Sequence, residues 1–264
     1  MIKYKKAKEV NDFMTNGCIS IDRILSRLDA FLGKNDYVSA EKHLLYWMGE
    51  AEKYNDHRVE LLARNELMGL YRKLAREQDA LECVKITLER IEALGISHQV
   101  GAATSFLNCA TVYKAFGKAE LAIPLFESAR LIYERELDKN DSRIGGLYNN
   151  MALALVDLGR FNEANELYKS AIDVMKQNEG GELEVAITYL NMATALEAEL
   201  GLLDADEAIN GYLSIAQSIL DGYENRDGYY AFVCEKCASV FGYYGWFLYN
   251  KELEERARTI YEGN

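Results

Sequence analysis

LYNNMALALVDLGRFNEANELYKSAI, residues 147–172, is the stretch on which the fold turns. It opens on an Asn-Met-Ala core at Asn150, Met151 and Ala152, reaches Gly159, and starts again on Ala164. Glycine tolerates a left-handed backbone and so ends a helix. Alanine lets two helices approach closely, and an aromatic one turn away, here Tyr168, fills the gap beside the crossing. The stretch therefore reads as a helix, a tight turn and a second helix folded back on the first.

Two further segments repeat this plan. SFLNCATVYKAFGKAELAIPLFESA begins at Ser105 and TYLNMATALEAELGLLDADEAINGY begins at Thr188. Weaker copies lie around DAFLGKNDYVSAEKHLLYW and NELMGLYRKLAREQDALECV, nearer the amino terminus. The alanines that open the second helices fall at Ala40, Ala80, Ala122, Ala164 and Ala208, spaced by 40, 42, 42 and 44 residues. A near-constant period over five copies predicts an all-α, right-handed superhelical solenoid of five or six antiparallel helix pairs. Its predicted extent is a single domain over 1–264. The repeats lie near 19–54, 57–94, 98–137, 142–177 and 182–221, and a divergent capping pair covers 226–262.

These segments resemble the tetratricopeptide repeat. The fourth copy matches that family's pattern at Ala152, Leu155, Gly159, Phe161, Ala164, Tyr168 and Ala171. The third supplies Ala110, Tyr113, Gly117, Ala122, Phe126 and Ala129, with Ala119 where an aromatic belongs, and the first supplies Tyr37, Ala40, Leu44 and Trp47. The second departs from the pattern, with Ala75 in place of the glycine, and the fifth reads as carrying about three extra residues before Ala208. The resemblance covers roughly residues 20 to 222. A period near 42 against the family's usual ~34 means longer helices, as in kinesin light chains and the peptide-pheromone receptors of Gram-positive bacteria.

The resemblance implies an inner face lined by the first helix of each pair. On that face stand Asn108, Asn150 and Asn191 at equivalent positions, with Asn65 and Asn149 one residue before them in their copies and Thr111 and Thr194 one turn further on. A carboxamide offers two donors and an acceptor and can bracket a peptide bond whatever its side chain. Relatives with long repeats use asparagines here to hold ligand backbones; the other reading is a bond to the neighbouring repeat. Arg72, Lys73 and Lys114 add cations to the same face, either for an acidic or carboxylate-bearing ligand or as ordinary solvated charge.

A net charge of −12 excludes nucleic acid as an expected partner, because phosphate binding needs a cationic surface. No window approaches the ~18 consecutive apolar residues of a membrane span, and no apolar run follows the basic start MIKYKKAKEVND. Five cysteines, Cys18, Cys83, Cys109, Cys234 and Cys237, form no disulfide framework, so a cytoplasmic protein without membrane attachment is expected. Cys234 and Cys237 make one CxxC with no second ligand pair, so neither metal nor cofactor is expected. No phosphate loop, nucleophile elbow or paired-histidine motif appears, and the chain is read as a non-enzyme.

The expected function is a protein- or peptide-binding scaffold working through the inner groove. One alternative is an intracellular peptide-sensing regulator. The roughly 18 residues before the first repeat are too few for a DNA-binding module, so such a regulator would act through partners. Another alternative is a small-molecule binder or enzyme using the aromatic carboxy-terminal cluster of Tyr229, Tyr230, Phe232, Phe241, Tyr243, Tyr244, Trp246, Phe247 and Tyr249. That cluster also reads as a cap on the last repeat or as a homodimer interface.

Overall fold

The computed structural model describes residues 19–263; the basic start and Cys18 lie outside them. The chain divides into two compact units, Met1–Ser97 and His98–Asn264. Among the described residues there are twelve α-helices and no strand, and no helix is long and apolar enough to cross a membrane.

The first unit holds α1 (Ile21–Leu32), α2 (Tyr37–Tyr54), α3 (His57–Lys73) and α4 (Glu77–Ala93), each packed on the next. A buried ionic network joins its last two helices. The Glu60 carboxylate on α3, 2% exposed, accepts from Arg90 Nε on α4 at 3.0 and 3.1 Å and from Arg64 Nη2 at 3.2 Å. Burial alone would raise the Glu60 pKa, but the Arg90 hydrogen bond and the charges of Arg90 and Arg64 outweigh it and hold the carboxyl below its usual range.

The second unit holds four pairs: α5 (Val100–Ala115) with α6 (Ala119–Glu136), α7 (Ser142–Asp157) with α8 (Phe161–Met175), α9 (Glu182–Leu200) with α10 (Leu202–Gly222), and α11 (Gly228–Tyr243) with α12 (Phe247–Glu262). Helix α6 also packs on α7 and α8 on α9, and the first helices α5, α7, α9 and α11 lie side by side in that order. Pro124 sits inside α6 without breaking it, since only one backbone donor is lost near the helix start.

The packing follows the residue types. Ala110, Ala122, Ala152 and Ala164 are fully buried, and so are Phe126 and Tyr168 beside them. Each second helix in the clearest copies opens with the same bond: the Ala122 amide donates to Lys118 O at 3.2 Å and the Ala164 amide to Arg160 O at 3.1 Å. In the fifth copy the residue in this role is Ala205, 1% exposed, whose amide donates to Gly201 O at 3.1 Å. Ala208 is exposed, so the expected register there is corrected. The three residues read as an insertion are the first turn of α10, which starts directly after Gly201. The crossing alanines are therefore Ala40, Ala80, Ala122, Ala164 and Ala205, spaced by 40, 42, 42 and 41 residues.

A second period underlies the first. Asn35, Ala75, Gly117, Gly159, Gly201 and Gly245, one per copy, all take positive φ, from 54° at Asn35 and Ala75 to 84° at Gly245. The turn requires this conformation whether or not glycine is present. Ala75 therefore holds a left-handed backbone that costs a side-chain-bearing residue about 1–2 kcal/mol.

Two substitutions test this register. Ala164→Leu should overpack the crossing and cost about 1–3 kcal/mol; an unchanged denaturation midpoint would refute the assignment. Ala75→Gly should instead stabilise the first unit by about 0.5–1 kcal/mol, the relieved strain exceeding the added freedom of the unfolded chain. A lower midpoint for Ala75→Gly would show that the strain is absent.

Candidate functional site

In the second unit the adjacency of α5, α7 and α9 brings seven of the expected groove residues onto one row of helices: Asn108, Thr111 and Lys114 on α5, Asn149 and Asn150 on α7, and Asn191 and Thr194 on α9. The other three, Asn65, Arg72 and Lys73, stand together on α3 in the first unit.

The three equivalent asparagines are all half-buried yet differ in what they bond. Asn108 forms no side-chain hydrogen bond within the described residues. Asn150 Nδ2 donates to Gly146 O at 2.8 Å in its own helix, leaving its oxygen and second N–H unspent. Asn191 Nδ2 donates to Asn149 Oδ1 at 3.0 Å, reaching from α9 to α7. Both readings of the asparagine row thus have a counterpart: an inter-repeat bond at Asn191, and unspent amide groups at Asn108 and Asn150. The hydroxyls of Thr111 and Thr194 donate to Leu107 O at 2.8 Å and Leu190 O at 3.2 Å. Bonds of that kind leave the oxygen free to accept.

The cations have local duties. Arg72 and Lys73 lie in the last turn of α3 and Lys114 in the last turn of α5, where positive charge offsets the negative end of the helix dipole. Lys114 Nζ also stands 3.5 Å from Asp157 Oδ2 on α7, and the Lys73 ammonium lies 5.1 Å over the Tyr37 ring. Arg72 and Lys73 are exposed. Asn65 Oδ1 is buried without a hydrogen-bond partner.

The carboxy-terminal aromatics mostly close the core of the last pairs. Tyr230 and Phe241 are fully buried and Tyr249 is 6% exposed. Their polar ends are answered: Tyr230 donates to Leu220 O at 3.0 Å, Tyr249 to Asp221 Oδ1 at 2.9 Å, and Trp246 Nε1 to Asn210 Oδ1 at 3.0 Å. Tyr229 donates to Glu184. Tyr243 and Phe247 remain exposed. Cys234 and Cys237 are free and buried in α11, and burial pushes the Cys237 thiol up to about 12. Among the described residues no three metal-ligating side chains come together.

One feature was not anticipated from the residues. A shallow cavity of about 570 Å³, wide open to solvent, lies between α9 and α11, lined by Thr194, Glu197, Ala198, Ser239, Val240 and Tyr243. The Glu197 carboxylate accepts from the Tyr243 hydroxyl at Oε1 and the Tyr244 hydroxyl at Oε2, both at 2.7 Å. The signal was present in the repeat: Tyr243 and Ala198 each fall near the end of a first helix, one copy apart.

No family model matches the chain. Over 132 residues, 49% of its length, it is 27% identical to Protein KINESIN LIGHT CHAIN-RELATED 2 of Arabidopsis thaliana, and it spans 20% of the length of that relative. Among solved structures it superposes on BtubC (BKLC) from P. vanneervenii with a TM-score of 0.64 at 19% identity, covering 77% of this chain and 82% of that one. A kinesin light chain-like protein of Podospora anserina with nearly identical TPR-like repeats gives a TM-score of 0.52 at 19% identity, covering 76% and 94%. In repeat pattern and in structure this is therefore a tetratricopeptide-type repeat fold, similar to kinesin light chain-like proteins.

Proposed function

We propose that this chain is a polypeptide-binding scaffold, and that the side of the second unit formed by α5, α7, α9 and α11 receives a partner segment in extended conformation. The observation that carries the reading is the row of half-buried amides on adjacent helices, with the groups of Asn108 and Asn150 still unspent. Peptide backbones repeat donors and acceptors along their length, and a row of amides meets them without demanding a particular side chain. The tetratricopeptide-type fold supports this, being in general a protein-interaction scaffold. The free thiols of the described cysteines support a reducing, cytoplasmic setting.

The test separates binding from stability. With a partner segment captured from the native cell and then synthesised, the double variant Asn108→Ala/Asn150→Ala should lose roughly tenfold to a hundredfold in affinity, at about 0.5–1.5 kcal/mol per hydrogen bond. Its melting temperature should stay close to that of the parent, because water can solvate what those amides leave behind. Asn191→Ala should lower the melting temperature as well, since it removes the partner of Asn149 Oδ1. Undiminished affinity in the double variant would end the reading.

A further inference from the structure

We infer that the bound segment places a lysine or arginine side chain in the cavity between α9 and α11, with its charge on Glu197. The inference rests on the proposed reading of this helix row as a polypeptide-binding face, and it assigns the chemistry of one position in the ligand.

Charge carries the argument. Glu197 lies in the last turn of α9, where the helix already presents the negative end of its dipole. A carboxylate there is modestly disfavoured, which the two tyrosine hydroxyls offset in part, and Glu197 forms no ion pair within the described residues. The last turns of α9 and α11 contain no basic residue, whereas those of α3 and α5 do. Helix α11 ends at the same cavity, through Val240 and Tyr243, so two helix ends of about half a negative charge each add to the carboxylate. No lysine or arginine lines the space.

Shape and lining decide which cation. Hard metal ions collect six or more oxygen ligands, and this site offers one carboxylate. Ala198 and Val240 instead give an apolar wall for a methylene stem, and the Tyr243 ring, 68% exposed, gives a face over which an ammonium or guanidinium can sit. The two tyrosine hydroxyls hold one lone pair on each carboxylate oxygen and leave the others for the incoming donor.

The experiment uses the whole chain, immobilised, and three pools of degenerate peptides that differ only at one fixed internal residue: arginine, lysine or the neutral isostere citrulline. The arginine and lysine pools should be retained about three- to tenfold better than the citrulline pool, the range of a partly exposed ion pair with a cation–π contact. That preference should vanish in Glu197→Gln, which keeps a tyrosine acceptor, and in Ser239→Arg, which fills the cavity with its own cation. Helical circular dichroism unchanged from the parent confirms that both variants are folded. Equal retention of all three pools by the parent overturns the inference and leaves the polypeptide-binding reading standing. A cation preference that survives in Glu197→Gln overturns it as well. Failure of every pool to bind removes the underlying reading and the inference with it.

Discussion

Everything in the architecture depends on how closely the two helices of a pair can cross. The buried alanines at Ala122 and Ala164 set that distance, and a side chain larger by a few methylenes has nowhere to go in a core packed at crystal density. Close crossing in turn demands a turn of very few residues, and such a turn reverses the chain only if one residue enters the left-handed region. The aromatics Phe126 and Tyr168 then fill the wedge that opens away from the crossing. Because first helices adopt this geometry pair after pair, they end up adjacent in the second unit, and residues one repeat apart in sequence become neighbours in space. The candidate site is a by-product of that regularity.

This explains which parts were legible in the sequence. Helix α2 (Tyr37–Tyr54) ends and α9 (Glu182–Leu200) begins where the repeat alignment places them, because apolar periodicity and turn residues agree there. The left-handed positions at Asn35 and Ala75 were hidden, since the pattern looks for glycine while the backbone asks only for a conformation. The misplaced Ala208 has a similar origin. An alignment preserves spacing by inserting gaps, whereas the chain shortened its turn at Gly201 and started α10 at Leu202.

The site was legible as a set of positions but not as a set of bonds. Repeat logic makes Asn108, Asn150 and Asn191 equivalent. What distinguishes them is local: Asn150 turns back to Gly146 O in its own helix, and a second asparagine at Asn149 captures Asn191. The Glu197 cavity is the harder case. Its polar centre is Glu197 on α9, held by Tyr243 and Tyr244 at the end of α11, 46 and 47 residues further along the chain. No local motif records such a meeting, and the tyrosines read as part of an aromatic cap.

The buried cysteines have a use unrelated to chemistry in the cell. Cys83 sits in α4, Cys109 in α5, and Cys234 and Cys237 in α11, all free and all screened from solvent. Burial raises the thiols of Cys83, Cys234 and Cys237 and so suppresses the reactive thiolate. A thiol reagent can therefore modify each one only when its own helix opens. In repeat architectures, where each element leans mainly on its neighbours, opening need not be all-or-none. The native cysteines thus act as built-in reporters distributed along the chain. Their separate labelling rates would yield a map of local opening free energies without a single engineered probe.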